Sequence, residues 1–311
     1  MPRCHTCNAL VPTDQMHRTP YGENVCWQCF DRDFIHCNEC GRPAWRGDCP
    51  NDDLCYECWD RVRFWNSEEV SHLTTIKKTG SGRCFGIELE TSQCDNYPKM
   101  RGETCFGVKE DGSVDGMEFY SPILCGDKGL AEIRKFCRLA KRHDFEVDDT
   151  CGYHLHLDMR DTTIVQRKRI AYAYRLTFSL WQHLVREDRW HNTFCEGPNY
   201  SPQELRDTHN FTTFERRQCR YQFVNLRAFC DHSTYELRGF QGTLDYREIC
   251  NWIKAHLRFV EFVKDTPMAE LDAMFGQGLR KAKRSLRKVL GTSLSNYYAK
   301  LWRKHAHRVA V

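Results

Sequence analysis

Residues 85–90 read "FGIELE", with Glu88 and Glu90 two apart in an otherwise apolar run. In a strand, residues i and i+2 face the same side of the sheet, so the two carboxylates share one face while Phe85, Ile87 and Leu89 share the other. The pattern recurs. In "DGMEFYSP" Glu118 stands between Met117 and Phe119; in "CGYHLHLD" His154, His156 and Asp158 alternate with Tyr153, Leu155 and Leu157; in "STYELRGF" Glu236 and Arg238 alternate with Tyr235 and Leu237. Any one such strand is an ordinary half-buried antiparallel strand with its polar side in water. Four together differ, because their polar positions hold carboxylates, imidazoles and a guanidinium rather than the Lys, Thr and Ser of a wetted face. Carboxylate plus imidazole is the donor set that a hard divalent cation collects, Mg²⁺ or Mn²⁺.

A second constellation lies near the N-terminus. Eight of the 19 cysteines form four CxxC pairs: Cys4/Cys7, Cys26/Cys29, Cys37/Cys40 and Cys55/Cys58. Each pair offers two soft sulfurs at a fixed bite, and two pairs complete the tetrahedron that Zn²⁺ prefers. "VCWQCFDR" at 25–32 is echoed by "LCYECWDR" at 54–61, which favours two sequential sites, 4/7/26/29 and 37/40/55/58, over an interleaved pair. A stretch this poor in aliphatic residues needs the metal to fold, and structural zinc supplies roughly 10–16 kcal/mol in such modules. Residues 1–65 are therefore expected to be a double zinc-binding module with two structural Zn²⁺. Ten acidic residues against seven basic ones up to Arg63 disfavour DNA binding by charge, so docking or bracing is the better reading. Cys49, His5 and His36 are read as bystanders.

Those side chains need elements to hold them. The polar, glycine-ended stretch 66–82 reads as a linker, with a second domain starting at residue 83. Helical periodicity predicts helices over 127–144, 163–187 and 245–264, the last with Asp245 as N-cap. Strands interspersed with amphipathic helices imply an α+β fold, an antiparallel sheet with helices on one face and the polar cluster in a cleft on the other. The chain has no apolar run long enough to span a bilayer and no signal-like start, so a cytoplasmic protein without membrane contact is expected.

The order of motifs, "FGIELE", "EDGSVDGMEFYSP", "CGYHLHLDM", "RYQFVNLRAF" and "STYELRGFQGTLD", resembles the amidoligases, carboxylate–amine ligases with the glutamine-synthetase fold. The resemblance covers roughly 83–265; tandem zinc-ribbon or treble-clef-like CxxC modules precede it. It implies an ATP-dependent enzyme joining an amine to a carboxylate through an acyl phosphate. It assigns Glu88, Glu90, Glu118, His154 and Glu236 to the Mg·ATP site, with Glu110 and Asp111 as rivals to Glu118. It places His156 near the phosphates and gives Arg238, with Arg220, the task of stabilising the transferred phosphoryl group. Lys109 reads equally as a phosphate contact or a salt-bridge partner.

Residues 266–311 form a basic helical tail; from Gly276 onward there are ten Lys or Arg and no Asp or Glu, with Tyr297, Tyr298 and Trp302 interleaved. This is either a solvated helical face or a phosphate-binding patch, in which case the acceptor belongs to a nucleic acid. The other acceptor considered is a protein side chain docked through the zinc module. Two rival classes stand beside the ligase: phosphotransfer on the same fold, and a zinc-anchored nucleic-acid or protein binding module.

Overall fold

The computed structural model describes residues 1–19, 22–37, 42–46, 82–100, 102–110 and 116–304. The chain divides into two compact units, Met1–Ser71 and His72–Val311. In the first, a hairpin of β1 (Met16–Arg18) and β2 (Asn24–Cys26) runs into helix α1 (Trp27–Asp33), followed by β3 (Phe34–His36) paired with β4 (Pro43–Trp45). Its core is small: Val25, Phe30 and Phe34 pack around the cysteines. The expected linker, apart from Gly82, and Cys40, Cys49, Cys55, Cys58 and Asp111 lie outside the described residues.

The second unit is built on one antiparallel sheet. Its strands are β5 (Cys84–Thr91), β6 (Gly107–Glu110), β7 (Met117–Tyr120), β8 (Leu124–Cys125), β9 (Gly152–Asp158), β10 (Val224–Asn225) and β11 (Thr234–Gln241). They are ordered β10-β11-β9-β5-β7-β6, with β8 pairing the start of β5. Phe85, Ile87 and Leu89 of β5, Tyr153, Leu155 and Leu157 of β9, and Tyr235 and Leu237 of β11 all enter the core. Period-2 alternation thus sends their polar neighbours to the opposite face.

Helices cover the apolar face. The main ones are α2 (Gly126–Arg142), α3 (Ile164–Gln182) and α7 (Tyr246–Val263); between α3 and α7 lie the short α4 (Pro202–Asp207), α5 (Phe211–Arg217) and α6 (Ala228–His232). Thr163 caps α3 in a reciprocal capping box with Gln166, and the Asp245 side chain accepts from Arg247 N at 2.8 Å to cap α7. Helix α3 ends five residues before the expected 187 because the chain turns inward: Leu184 and Val185 are buried and Arg186 is extended (φ −63°, ψ 157°). This turn carries Arg189 toward the polar face.

The C-terminal segment is not merely a solvated appendage. Helices α8 (Met268–Phe275) and α9 (Leu279–Lys304), the latter broken at Gly291 (φ 74°), place Leu271, Phe275, Ala282, Leu286, Leu290, Leu294, Tyr298 and Trp302 in the same core as the sheet. Two of the aromatic residues read as interleaved with the basic patch are therefore core residues. Every fourth position of α9 points inward, and the cations between them point out.

A buried polar knot ties this layer to the sheet. Arg167 of α3 grips Glu215 of α5 with both nitrogens (Nε–Oε1 2.9 Å, Nη2–Oε2 3.3 Å), and the Tyr235 hydroxyl of β11 donates to the same carboxylate at 2.5 Å. Tyr235 immediately precedes Glu236, so the knot fixes the part of β11 that carries that carboxylate.

Candidate active site

Strand register assembles the polar face. Glu88 of β5 lies opposite His154 of β9, Glu236 of β11 opposite His156, Glu90 opposite Glu118 of β7, and Lys109 of β6 opposite Glu118. Directly opposed residues point to the same side of a sheet, so four adjacent antiparallel pairings deliver one cluster.

The Glu88 carboxylate sits at its centre. Its Oε2 is 3.1 Å from His154 Nδ1 and its Oε1 is 3.5 Å from His156 Nε2. Glu236 Oε1 lies 3.5 Å from His154 Nδ1, and Glu90 Oε1 lies 3.6 Å from His154 Nε2. The outer lone pairs are committed: Asn225 Nδ2 donates to Glu236 Oε2 at 2.7 Å, Gly152 N donates to Glu90 Oε2 at 2.5 Å, and Lys109 Nζ is 2.7 Å from Glu118 Oε1. Thr234 Oγ1 is 3.0 Å from His156 Nδ1 and orients that ring, so that its buried Nε2 faces Glu88.

Electrostatics favour the charged forms of Glu88, Glu236 and His156. Burial alone would raise Glu88, but hydrogen bonds and charge from His154 and His156 outweigh it and hold the carboxyl well below its usual range. Glu236 is lowered in the same way, against burial, by His156, His154 and Arg238. His156 is raised: burial opposes its charged form, and the Glu88 and Glu236 carboxylates overcome that penalty.

Two overlapping donor sets result, Glu88–His156–Glu236 and Glu88–Glu118–His154, each with its ligand atoms within 4.8 Å of one another. Oxygen and imidazole donors, with one carboxylate common to both sets, fit hard divalent cations such as Mg²⁺ or Mn²⁺.

Arginines line one wall. Arg238 Nη1 donates to Glu236 Oε1 at 2.5 Å and its Nε to the Phe194 carbonyl at 3.1 Å. A β-bulge puts it there. Leu237 pairs with Leu155 and the next pair is Phe240 with Tyr153, so β11 carries one extra residue, which returns Phe240 to the core face. Gly239 lies in that bulge, where a Cβ would stand 1.9 Å from the Phe223 ring.

A family model described as "Putative amidoligase enzyme" matches residues 95–260, more than half of the chain. The chain belongs to the amidoligase family. That membership points to ligase chemistry. No curated protein matches the chain. The family match takes in Glu118, His154, His156, Glu236 and Arg238, whereas Glu88 and Glu90 lie just upstream of it. Among the described residues no helix of this amidoligase is long and apolar enough to cross a membrane.

Two anticipated residues stand apart from the cluster. Arg220 is exposed, its guanidinium 5.2 Å from the centre of the Tyr221 ring; that ring is also 5.8 Å from the Arg238 guanidinium. Glu110 is exposed and opposite Met117, so it faces away from Glu118. Lys109 is a salt-bridge partner, its Nζ 2.7 Å from Glu118 Oε1 and 3.8 Å from Glu88 Oε1.

Sequence reading missed Arg189, Asn225 and Thr234. Arg189 is buried, donates to the Arg238 carbonyl at 3.0 Å, and has an Nε with no hydrogen-bond partner. It comes from an irregular turn, where no periodicity marks it. Asn225 could have been found, since it alternates with Val224 and Leu226 in the quoted "FVNL".

In the N-terminal unit the structure brings Cys4, Cys7, Cys26 and Cys29 together, all sulfurs within 4.8 Å. The first two come from the opening turn, the third ends β2 and the fourth lies in α1. Against burial, backbone N–H groups of Cys26, Cys7 and Thr6 lower the Cys4 thiol to about 6, while burial and the neighbouring sulfurs push Cys29 up to about 12. Four thiols packed this closely repel one another as thiolates, and a soft divalent cation removes that cost. Cys37 of the second set is buried.

Proposed function

We propose that this chain is an ATP-dependent carboxylate–amine ligase of glutamine-synthetase-like fold, its catalytic region spanning 83–265 behind a zinc-bound module over 1–65. The observation that carries the reading is the pair of donor sets sharing Glu88, set beside Arg238 on the polar face of the sheet in a member of the amidoligase family.

A carboxylate does not acylate an amine in water, because oxide is not a leaving group. The substrate carboxylate oxygen attacks the γ-phosphorus of ATP, forming an acyl phosphate and releasing ADP. The amine nitrogen then attacks the acyl carbon, phosphate leaves, and the ammonium proton is lost to base. Glu88, Glu118, His154, His156 and Glu236 would hold the divalent cations, whose contribution would be to neutralise phosphate charge. Arg238 is a fixed guanidinium that donates to the equatorial phosphoryl oxygens, with Arg189 behind it. Glu90, tied to Gly152 N and beside His154 Nε2, orients that imidazole. Arg220, exposed beside Tyr221, is assigned to the cleft mouth, where it contacts incoming phosphates.

ATP turnover to ADP with pooled amines and carboxylates, in Mg²⁺ and in Mn²⁺, tests the reading. Arg238→Ala is expected to slow turnover by about 10²-fold or more, the cost of one electrostatic stabiliser. Glu88→Gln is expected to abolish Mg·ATP-dependent turnover. Wild-type turnover in both variants, or a wild type that never consumes ATP, sinks the proposal.

A further inference from the structure

The outer face of α9 is an excess of positive charge that the cleft does not use. Between Leu279 and Gly291 the inward positions Ala282, Leu286 and Leu290 are buried, while Arg280, Lys281, Arg284, Arg287 and Lys288 are exposed. No acidic residue occurs after Gly276, and among the described residues no ion pair involves this segment. Such a surface is costly to the helix itself. Like charges three and four residues apart repel, and cations in the first turn oppose the helix dipole. Lys283 registers the crowding: burial and the Arg287 charge hold its ammonium below the ordinary lysine value. A helix selected only for solubility interleaves Glu with Lys; this one does not.

We propose that the first half of α9 is a docking surface for the phosphate backbone of duplex nucleic acid, separate from the carboxylate cleft. From Arg280 to Arg287 the stripe runs about 10 Å along the axis, at 1.5 Å per residue. A duplex presents about one charge per 1.7 Å of its own axis, so the stripe meets several phosphates at once. Duplex rather than single strand follows from the aromatic residues. Binding of unpaired bases needs exposed rings to stack on, and here Tyr298 and Trp302 are in the core, with Lys283 Nζ 4.6 Å over the Trp302 ring. The rigid backing, a helix seated in the main core, holds the cations in fixed array. Because α9 belongs to the layer on the apolar face of the sheet, this surface tethers the enzyme to nucleic acid and does not feed bases into the polar cluster.

Anisotropy of labelled duplex DNA and duplex RNA of arbitrary sequence, titrated with the full chain, provides the test. Binding without sequence preference is expected, with a log–log salt slope of about −4 for four or so phosphates, hence roughly 10²-fold weaker binding from about 50 to 200 mM salt. Replacing Arg280, Arg284, Arg287 and Lys288 by Gln is expected to cut affinity at least tenfold and flatten the slope, with a circular-dichroism melt no lower than that of the wild type. Removing the same charge from α2, by Lys135, Arg138, Lys141 and Arg142 to Gln, is the control and is expected to leave most of the affinity. Equal loss in both variants, absent duplex binding at low salt, tighter binding to single strands, or binding only to phosphatidylserine vesicles each overturns the proposal. Preference for DNA or RNA decides which duplex it serves.

Discussion

The knot of Arg167, Glu215 and Tyr235 offers a sharp test of how the helical layer holds the sheet that carries the polar cluster. Glu215 is fully buried and accepts from Arg167 twice and from Tyr235 once. Glu215→Ala removes all three bonds and strands a guanidinium that is only 5% exposed. Breaking a buried pair from one side costs about 3–5 kcal/mol, because the remaining charge is left desolvated. For a unit of this size that is a fall of about 6–20 °C in melting temperature. Arg167→Met/Glu215→Leu discards both charges and fills the space, so it should recover most of the loss, leaving chiefly the unsatisfied Tyr235 hydroxyl. Calorimetric melts of wild type, Arg167→Met, Glu215→Leu and the double variant measure the coupling directly. If Glu215→Ala melts within a degree or two of wild type, or if the double variant is as unstable as the sum of the singles, the knot does not carry the load assigned to it.

Three further outcomes are expected. Treatment with a zinc chelator should release metal from the N-terminal unit and melt its secondary structure, while elemental analysis of the untreated protein should give two Zn²⁺ per chain; a metal-free protein with an unaltered melt would remove the zinc assignment. His256 is buried between Trp181 and Trp252, and burial holds its imidazole well below the ordinary histidine value. Because the folded value lies below the unfolded one, its stabilisation is complete above about pH 6.5 and falls by up to about 1.4 kcal/mol per unit below it; His256→Leu should flatten that part of the stability profile, read by urea unfolding at several pH values. Gly239→Ala should displace the Phe223 ring or the β11 bulge and cost about 1–3 kcal/mol, and because the bulge aims Arg238, ATP turnover should fall further than the melting temperature alone explains.

Alternation made much of the site legible. Glu88 and Glu90, His154 and His156, and Glu236 with Arg238 declare their shared faces by period alone, and Asp245 declares itself as a cap by its place before an apolar helix. Pairing order was not readable, since nothing local says that β9 separates β5 from β11. That order is what brings Glu88 to both histidines. Arg189 escaped for a related reason: its position is set by where α3 stops, and that depends on Leu184 and Val185 finding the core. The burial of α9 is masked in the sequence by its charge, nine cations surrounding leucines spaced every four residues.

The position of β5 has a consequence for modularity. The family match begins at residue 95 and ends at 260, whereas β5 occupies the middle of the sheet, bonded to β7, β8 and β9, and α8 and α9 seal the far side of the core. A fragment cut to the recognisable boundaries would open two raw strand edges and uncover the side of Phe259 that packs on Phe275. What is shared across the family as a pattern is thus smaller than what must fold together. Recombination or truncation of this ligase can succeed only at joints lying outside residues 83–302.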